Sequence, residues 1–223
     1  MMQQGAKGAL PDKNVDMIRG GHYVGKGSLV ADAFCGQVGA FFHAIAECLA
    51  RTQVTGEGWF IHDGSLQDSI AKLRKYLREM HKKGGKLIFV GNGGSAAIAS
   101  HMAVDYTKNG GIRAIALNDA PTLTCLANDF GYENVFAKQL EYYATPKDVV
   151  VIVSSSGKSE NIVRAAKHCD SFGVGCKLVT LSGMNPANYI RRVGDLNFYV
   201  PAADYGLVEL SHLCILHSVV SAK

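Results

Sequence analysis

The chain has 223 residues, of which 48% are hydrophobic and 19% are charged, and its formal net charge is +4. This length and apolar content suit one α/β domain with an extension and exclude general disorder. The basic residues are scattered and form no stripe with interleaved aromatic residues, so nucleic acid is not expected as the main ligand.

The first 28 residues contain glycines and a proline and show no apolar periodicity. They are predicted to be a loosely ordered extension. From 29 to 49, apolar residues recur on nearly every side of a helix, which indicates burial on more than one face and hence a subunit interface. Ser65 is a favourable N-cap for a second helix that runs to about Lys82. Residues 29–223 are therefore predicted to form one domain that begins with two helices.

After "KKGGK" the period changes, and several short, mostly apolar runs each end at or just before Gly, Ser, Asn or Pro. These predicted strands cover 86–91, 112–117, 148–155, 176–182 and 196–201, with helical patterns between them. Near-continuous apolar strands that alternate with helices are typical of a parallel sheet covered on both faces. The predicted fold is a three-layer α/β/α sandwich of flavodoxin-like type with a five-stranded parallel sheet and added N-terminal helices.

Two predicted strands lead through a loop rich in glycine and serine directly into a helix. The loops are "GNGGS" (91–95) and "SSSGKSEN" (154–161). Ligands of such sheets bind beyond the carboxyl ends of the strands, and a helix N-terminus attracts an anion. The Walker A spacing is not met, and "GNGGSA" fits only the looser dinucleotide fingerprint, with no acidic residue to end the second strand. The serine hydroxyls of the two loops are therefore predicted to converge on one phosphate.

Four segments together resemble the sugar-isomerase (SIS) family and, within it, the bacterial phosphoheptose isomerases: "GNGGSAAIASHMAVDYT", "CLANDFGYENVFAKQL", "VSSSGKSEN" and "VELSHLCILH". The similarity covers roughly residue 29 to the C-terminus. It implies that a phosphosugar is bound by a set of polar residues and glycines on the predicted loops and helices. They are Asn92, Gly93, Gly94, Ser95, Asn128, Asp129, Ser154, Ser155, Ser156, Ser159 and Glu209.

The resemblance also implies a metal and proton-transfer set of His101, Asp105, Glu209 and His217. His101 and Asp105 lie at i and i+4 on one helix face, and Glu209 and His217 differ by just over two turns. Two imidazoles and two carboxylates are a plausible zinc set, so one zinc ion per subunit is predicted. Asp105 and His217 are the predicted catalytic pair. The family has Glu and Gln where this chain has Asp105 and Glu209, which indicates either a retuned metal site or a site drifting from catalysis.

The implied activity is the isomerisation of sedoheptulose 7-phosphate to D-glycero-D-manno-heptose 7-phosphate, a step of lipopolysaccharide heptose biosynthesis, through an enediol. A homotetramer with active sites at subunit interfaces is expected. One alternative is an isomerase of another phosphosugar. Another is a non-catalytic SIS protein that binds a protein partner, as the replication-initiator-associating protein does. No secretory signal, membrane span or paired CxxC cysteines are recognisable, so a cytoplasmic location without membrane contact is expected.

Overall fold

The computed structural model describes residues 29–58, 65–169 and 175–221. Contacts divide the chain into two units, Met1–Phe42 and His43–Lys223. The described part of the first unit is the start of helix α1 (Leu29–Ala50), where Phe41 and Phe42 are exposed. The predicted loose extension, 1–28, lies outside the described residues.

The remaining described α-helices belong to the second unit. They are α2 (Leu66–Lys82), α3 (Gly94–Lys108), α4 (Ala120–Phe130), α5 (Val135–Tyr143), α6 (Glu160–Lys167) and α7 (Tyr205–Ser221). The predicted start of α2 is confirmed, because the Ser65 hydroxyl accepts a hydrogen bond from the backbone N–H of Asp68. Leu73, Leu77 and Met80 are buried at helical spacing and turn one face of α2 toward the core.

The described strands form one six-stranded sheet in the order β1-β6-β5-β4-β2-β3. They are β1 (Gln53–Gly56), β2 (Leu87–Gly91), β3 (Ala114–Ala116), β4 (Val149–Ser154), β5 (Lys177–Gly183) and β6 (Leu196–Val200). All neighbours are parallel except β1 and β6, which are antiparallel. The five predicted strands are confirmed, but the predicted count is too low by one. Strand β1 was missed because it is short, partly polar and only half-buried.

Helices cover both faces of the sheet, as the three-layer prediction requires. In β2 the side chain of Phe89 packs on the face covered by α2, α3 and α7, whereas Ile88 and Val90 pack on the face covered by α4, α5 and α6. This alternation follows from the two-residue period of a strand. Both faces of β2 and β4 are fully buried, which explains their continuous apolar sequences. Among the described residues, no helix is both long enough and apolar enough to cross a bilayer.

Candidate functional site

The two glycine- and serine-rich loops lie side by side at the carboxyl end of the sheet. Strand β2 ends at Gly91, and α3 begins three residues later, at Gly94. Strand β4 ends at Ser154, and Ser159 is the N-cap of α6. Because β2 and β4 are paired in parallel, with Gly91 opposite Val153, both chains leave the sheet next to each other. The N-termini of α3 and α6 therefore face one region, where their free N–H groups favour an anion.

A cavity of about 220 Å³ lies between the loops. Its walls contain nine of the predicted substrate-binding residues and one residue that sequence reasoning missed, Tyr205. The lining is Asn92, Gly93, Gly94, Ser95, Ser154, Ser155, Ser156, Ser159, Tyr205 and Glu209. A larger groove of about 600 Å³ between α1, α2 and α7 is lined mainly by aliphatic side chains and holds none of the predicted residues. The polar cavity at the strand ends is therefore the candidate binding site.

The cavity is lined by hydroxyls, the Asn92 amide and the Glu209 carboxylate, and it contains no Lys or Arg side chain. Ser95, Ser154 and Ser155 are at most 6% exposed. The Ser154 hydroxyl accepts a hydrogen bond from Gly157 N–H at 3.2 Å, but among the described residues the buried Ser155 hydroxyl has no partner. A buried polar group without a partner costs about 1–3 kcal/mol. A ligand rich in oxygen atoms, such as a phosphate, would remove that cost.

Among the loop glycines, Gly94 and Gly157 hold positions where a side chain would collide with a distant part of the chain. A Cβ on Gly94 would lie 2.5 Å from Oε2 of Glu209. Gly157 has φ +61°, a left-handed conformation, and a Cβ there would collide with the side-chain oxygen of Asn188. These glycines let the loops approach α7 and the loop after β5 closely.

Three residues with metal-binding side chains meet at the interface between two helices, further along α3 than the cavity. His101 and Asp105 lie on α3, and His217 lies on α7. One ligand atom from each lies within 4.8 Å of the others. Nε2 of His101 is 3.2 Å from Nε2 of His217 and 3.7 Å from Oδ2 of Asp105. The edge of a tetrahedral zinc site with bonds of 2.0–2.1 Å is about 3.3 Å. The donor types suit zinc, and the two distances from His101 are close to that edge. Three protein ligands would leave a coordination position for another ligand.

The structure separates Glu209 from these three residues, contrary to the predicted four-residue set. Eight residues along α7 correspond to about 12 Å. Helices α3 and α7 pack side by side, so Glu209 meets Gly94 at the start of α3, and His217 meets residues two to three turns further along. Glu209 instead belongs to the wall of the serine-lined cavity.

Two other predicted substrate-binding residues do not line the cavity. Asn128 and Asp129 are exposed residues of α4 and hydrogen-bond to each other at 2.9 Å. Their contact with a sugar stays a prediction. His212 is fully buried in α7, with Nε2 3.1 Å from the Ser182 carbonyl oxygen. Burial lowers the pKa of His212 to about 4.

Sequence reasoning also missed Asn161, the last residue of the "SSSGKSEN" segment. Its side chain is 2% exposed and forms two hydrogen bonds with Asn92 of the other loop. An asparagine two residues into a helix behind a serine-rich loop is a weak signal by itself. Its role depends on its pairing with Asn92 in the loop after β2, and the sequence does not show that pairing.

The fold agrees with the family that the chain resembles. The family model described as the SIS domain matches residues 62–183, more than half of the chain, and the chain belongs to this family. It is 36% identical over 160 residues to phosphoheptose isomerase 1 of Campylobacter jejuni, a match that covers 69% of this chain and 84% of the relative. It is 37% identical over 158 residues to the phosphoheptose isomerase of Geotalea daltonii, and this match covers 68% of this chain and 81% of that relative.

Solved structures give the same fold. The structure of phosphoheptose isomerase from Neisseria gonorrhoeae superimposes with a TM-score of 0.70 at 24% identity, over 86% of this chain and 97% of that chain.

Proposed function

We propose that the protein is an aldose–ketose isomerase that converts sedoheptulose 7-phosphate into D-glycero-D-manno-heptose 7-phosphate. The single observation that carries the proposal is that a serine-lined cavity and a His–Asp–His cluster share the helix pair α3 and α7. The names of the Campylobacter and Geotalea relatives support the same activity.

In this proposal the cavity holds the phosphate group. Serine hydroxyls and the N-termini of α3 and α6 neutralise its charge through hydrogen bonds and helix dipoles. From Ser95 to His101 the path along α3 is about 9 Å, at 1.5 Å per residue. An extended sugar chain held at its phosphate end can therefore bring its carbonyl end toward His101, Asp105 and His217. The distance between the two sites would select for chain length.

Asp105 and His217 are assigned the proton transfers. Oδ2 of Asp105 and Nδ1 of His217 are 3.4 Å apart, on different helices. One group removes the proton from the carbon next to the carbonyl and returns it to the neighbouring carbon, and the other moves a proton between the two oxygens. A zinc ion held by His101, Asp105 and His217 would polarise these oxygens. The serine-lined cavity fixes the substrate so that its reacting carbon stays within reach.

The proposal includes assembly as a homotetramer in the cytoplasm, with lipopolysaccharide heptose biosynthesis as the process served. Helix α1 supports an assembly because Phe41 and Phe42 are 41% and 64% exposed. Large exposed apolar side chains are typical of protein–protein contacts.

A coupled assay for aldoheptose 7-phosphate, with and without added Zn²⁺, tests the activity. We expect turnover by wild type and by His43→Ala, and none by His217→Ala. His43 is a suitable control because, within the described part of the chain, it pairs with Glu47 alone at the surface of α1. Turnover that survives in His217→Ala would contradict the assigned site. Binding of the sugar phosphate without turnover under any condition would favour the non-catalytic, partner-binding alternative, and turnover of a different phosphosugar would correct the substrate.

A further inference from the structure

Asn161 joins the two loops of the cavity through a reciprocal pair of amide hydrogen bonds. Nδ2 of Asn161 donates to Oδ1 of Asn92 at 3.0 Å, and Nδ2 of Asn92 donates to Oδ1 of Asn161 at 2.9 Å. Asn92 follows β2, whereas Asn161 is the second residue of α6, beyond β4. The pair thus fixes the loop of one strand to the helix of the next.

A third residue completes the set around Asn92. The hydroxyl of Tyr132, in a short 3₁₀ helix (Tyr132–Asn134), donates to Oδ1 of Asn92 at 3.2 Å. Oδ1 of Asn92 therefore accepts two hydrogen bonds, which is its full capacity. Its Nδ2 uses one hydrogen for Asn161, and within the described residues the other hydrogen has no protein partner.

Asn92 also lines the cavity, so its remaining N–H is the hydrogen-bonding capacity that its side chain keeps for a ligand. Asn161 does not line the cavity and is almost completely buried. We propose that Asn161 is a positioning residue that, with Tyr132, fixes the Asn92 amide as a hydrogen-bond donor to an oxygen of the sugar part of the sugar phosphate, while the serine hydroxyls of the cavity hold its phosphate group. The inference rests on the proposed function for the identity of that ligand.

Two features separate this role from simple support of the fold. Asn161 acts through Asn92, so its effect on ligand affinity must vanish when the Asn92 side chain is removed. It also orients the Asn92 amide, which donates to the sugar, and it does not orient the serine hydroxyls, which hold the phosphate group. Affinity for inorganic phosphate alone should therefore change little.

A double-mutant cycle tests the inference, with dissociation constants measured by calorimetry for sedoheptulose 7-phosphate and for inorganic phosphate. We expect Asn161→Ala to weaken binding of the sugar phosphate about tenfold, the effect of one hydrogen bond to a charged or strongly polar ligand. Binding of inorganic phosphate should change less than about threefold. In the Asn92→Ala background, Asn161→Ala should cause no further loss, because neighbours that act as a unit are not additive.

The matched control is Asn197→Ala. Asn197 is likewise buried, at 4% exposure, but it hydrogen-bonds to Thr180 of β5 and to Gly194, just before β6, and it does not line the cavity. It should lower stability without changing either affinity. Equal losses from Asn161→Ala in the wild-type and Asn92→Ala backgrounds, or equal losses for the two ligands, would overturn the positioning role.

The pairing can also be examined without the sugar phosphate. In the ¹⁵N–¹H spectrum of the wild type, one side-chain amide hydrogen of Asn92 should exchange slowly, and this protection should disappear in Asn161→Ala. Rapid exchange of both hydrogens in the wild type would overturn the inference whatever the ligand. Wild-type protein that shows the protection but neither binds nor converts sedoheptulose 7-phosphate would contradict the proposed function alone.

Discussion

The carboxylate of Asp105 and the imidazole of His217 approach to 3.4 Å across the interface of α3 and α7, two helices that are distant in the sequence. The other oxygen of Asp105 accepts a hydrogen bond from Nδ2 of Asn109 at 3.1 Å. Asn109 therefore restrains the carboxylate so that Oδ2 points to the histidines. An aspartate is one methylene shorter than a glutamate, so its placement depends on this restraint and on how closely the two helices pack.

Zinc affinity should depend on this cluster. We expect His217→Ala to weaken Zn²⁺ binding by about 100-fold or more and Asn109→Ala by about tenfold, since orienting partners of metal ligands typically contribute 10–100-fold. Calorimetric titration of metal-free protein, with metal content by mass spectrometry, measures both. His43→Ala should bind as wild type. Unchanged zinc affinity in His217→Ala would contradict the assigned ligand set.

Removal of the Ser155 hydroxyl should weaken phosphate binding without lowering the stability of the fold. This hydroxyl is buried and lacks a protein partner, so Ser155→Ala should leave the free energy of unfolding unchanged or raise it by up to about 1 kcal/mol. Affinity for inorganic phosphate should fall about tenfold. The control is Ser69→Ala, because Ser69 is equally buried but donates to the Ser65 carbonyl in α2. It should lose stability and keep phosphate affinity. The opposite pattern for Ser155→Ala would exclude it from the binding site.

His212 should make the protein sensitive to acid. Burial lowers its pKa from 6.5 to about 4, so the folded protein keeps it neutral while the unfolded chain takes up a proton below pH 6.5. Its contribution is present above pH 6.5 and is lost as the pH falls toward 4. The loss amounts to about 3 kcal/mol, at 1.36 kcal/mol for each unit. Urea unfolding at pH 7 and 4.5 should show a smaller decrease for His212→Gln than for wild type. Equal decreases would show that His212 is not the group responsible.

Lys86 should be more important to stability than other surface lysines. Burial by itself raises the pKa of Asp148, but hydrogen bonds from Lys86 and Thr145 outweigh it and hold that pKa below its ordinary value. Nζ of Lys86 donates to Oδ2 of Asp148 at 2.6 Å, and the carboxylate is 2% exposed. Lys86→Met leaves this charge without its cation and should cost about 3 kcal/mol of unfolding free energy.

The control for that variant is Lys138→Met, which breaks an exposed pair with Glu141 and should change stability little. Denaturant unfolding at pH 7 compares the two. Equal effects of the two substitutions would contradict the importance of the buried carboxylate.

The sequence predicted the parts of the fold that depend on local chemistry. Strands β2 and β4 are buried on both faces, so their apolar runs were unambiguous, and Ser65 caps α2 as its type suggests. The serine loops were also predictable, because strand, loop and helix follow one another directly. Strand β1 was not, because its polar residues acquire a partner only from β6, far along the chain.

The details of the site depended on tertiary packing. The spacing of Glu209 and His217 predicted a shared helix face, but not which turn of α3 each would meet, and Glu209 meets Gly94. The exposure of Asn128 and Asp129 likewise follows from how α4 packs on its sheet face, which the motif "ANDFGY" does not specify. Contacts between helices that are distant in the sequence therefore decide both the position of Glu209 and the exposure of Asn128 and Asp129.

The pairing of β1 with β6 has a consequence for synthesis of the chain. On a ribosome, β1 emerges long before the residues that will pair with it, from Leu196 to Tyr199. Pairing between segments so distant in sequence is slow, and strands that wait unpaired are prone to join the wrong partner. Gln53 and Thr55 make β1 partly hydrophilic, and the strand is short, with four residues. While β6 has not yet been synthesised, the unpaired β1 therefore exposes little apolar surface that could bind a wrong partner.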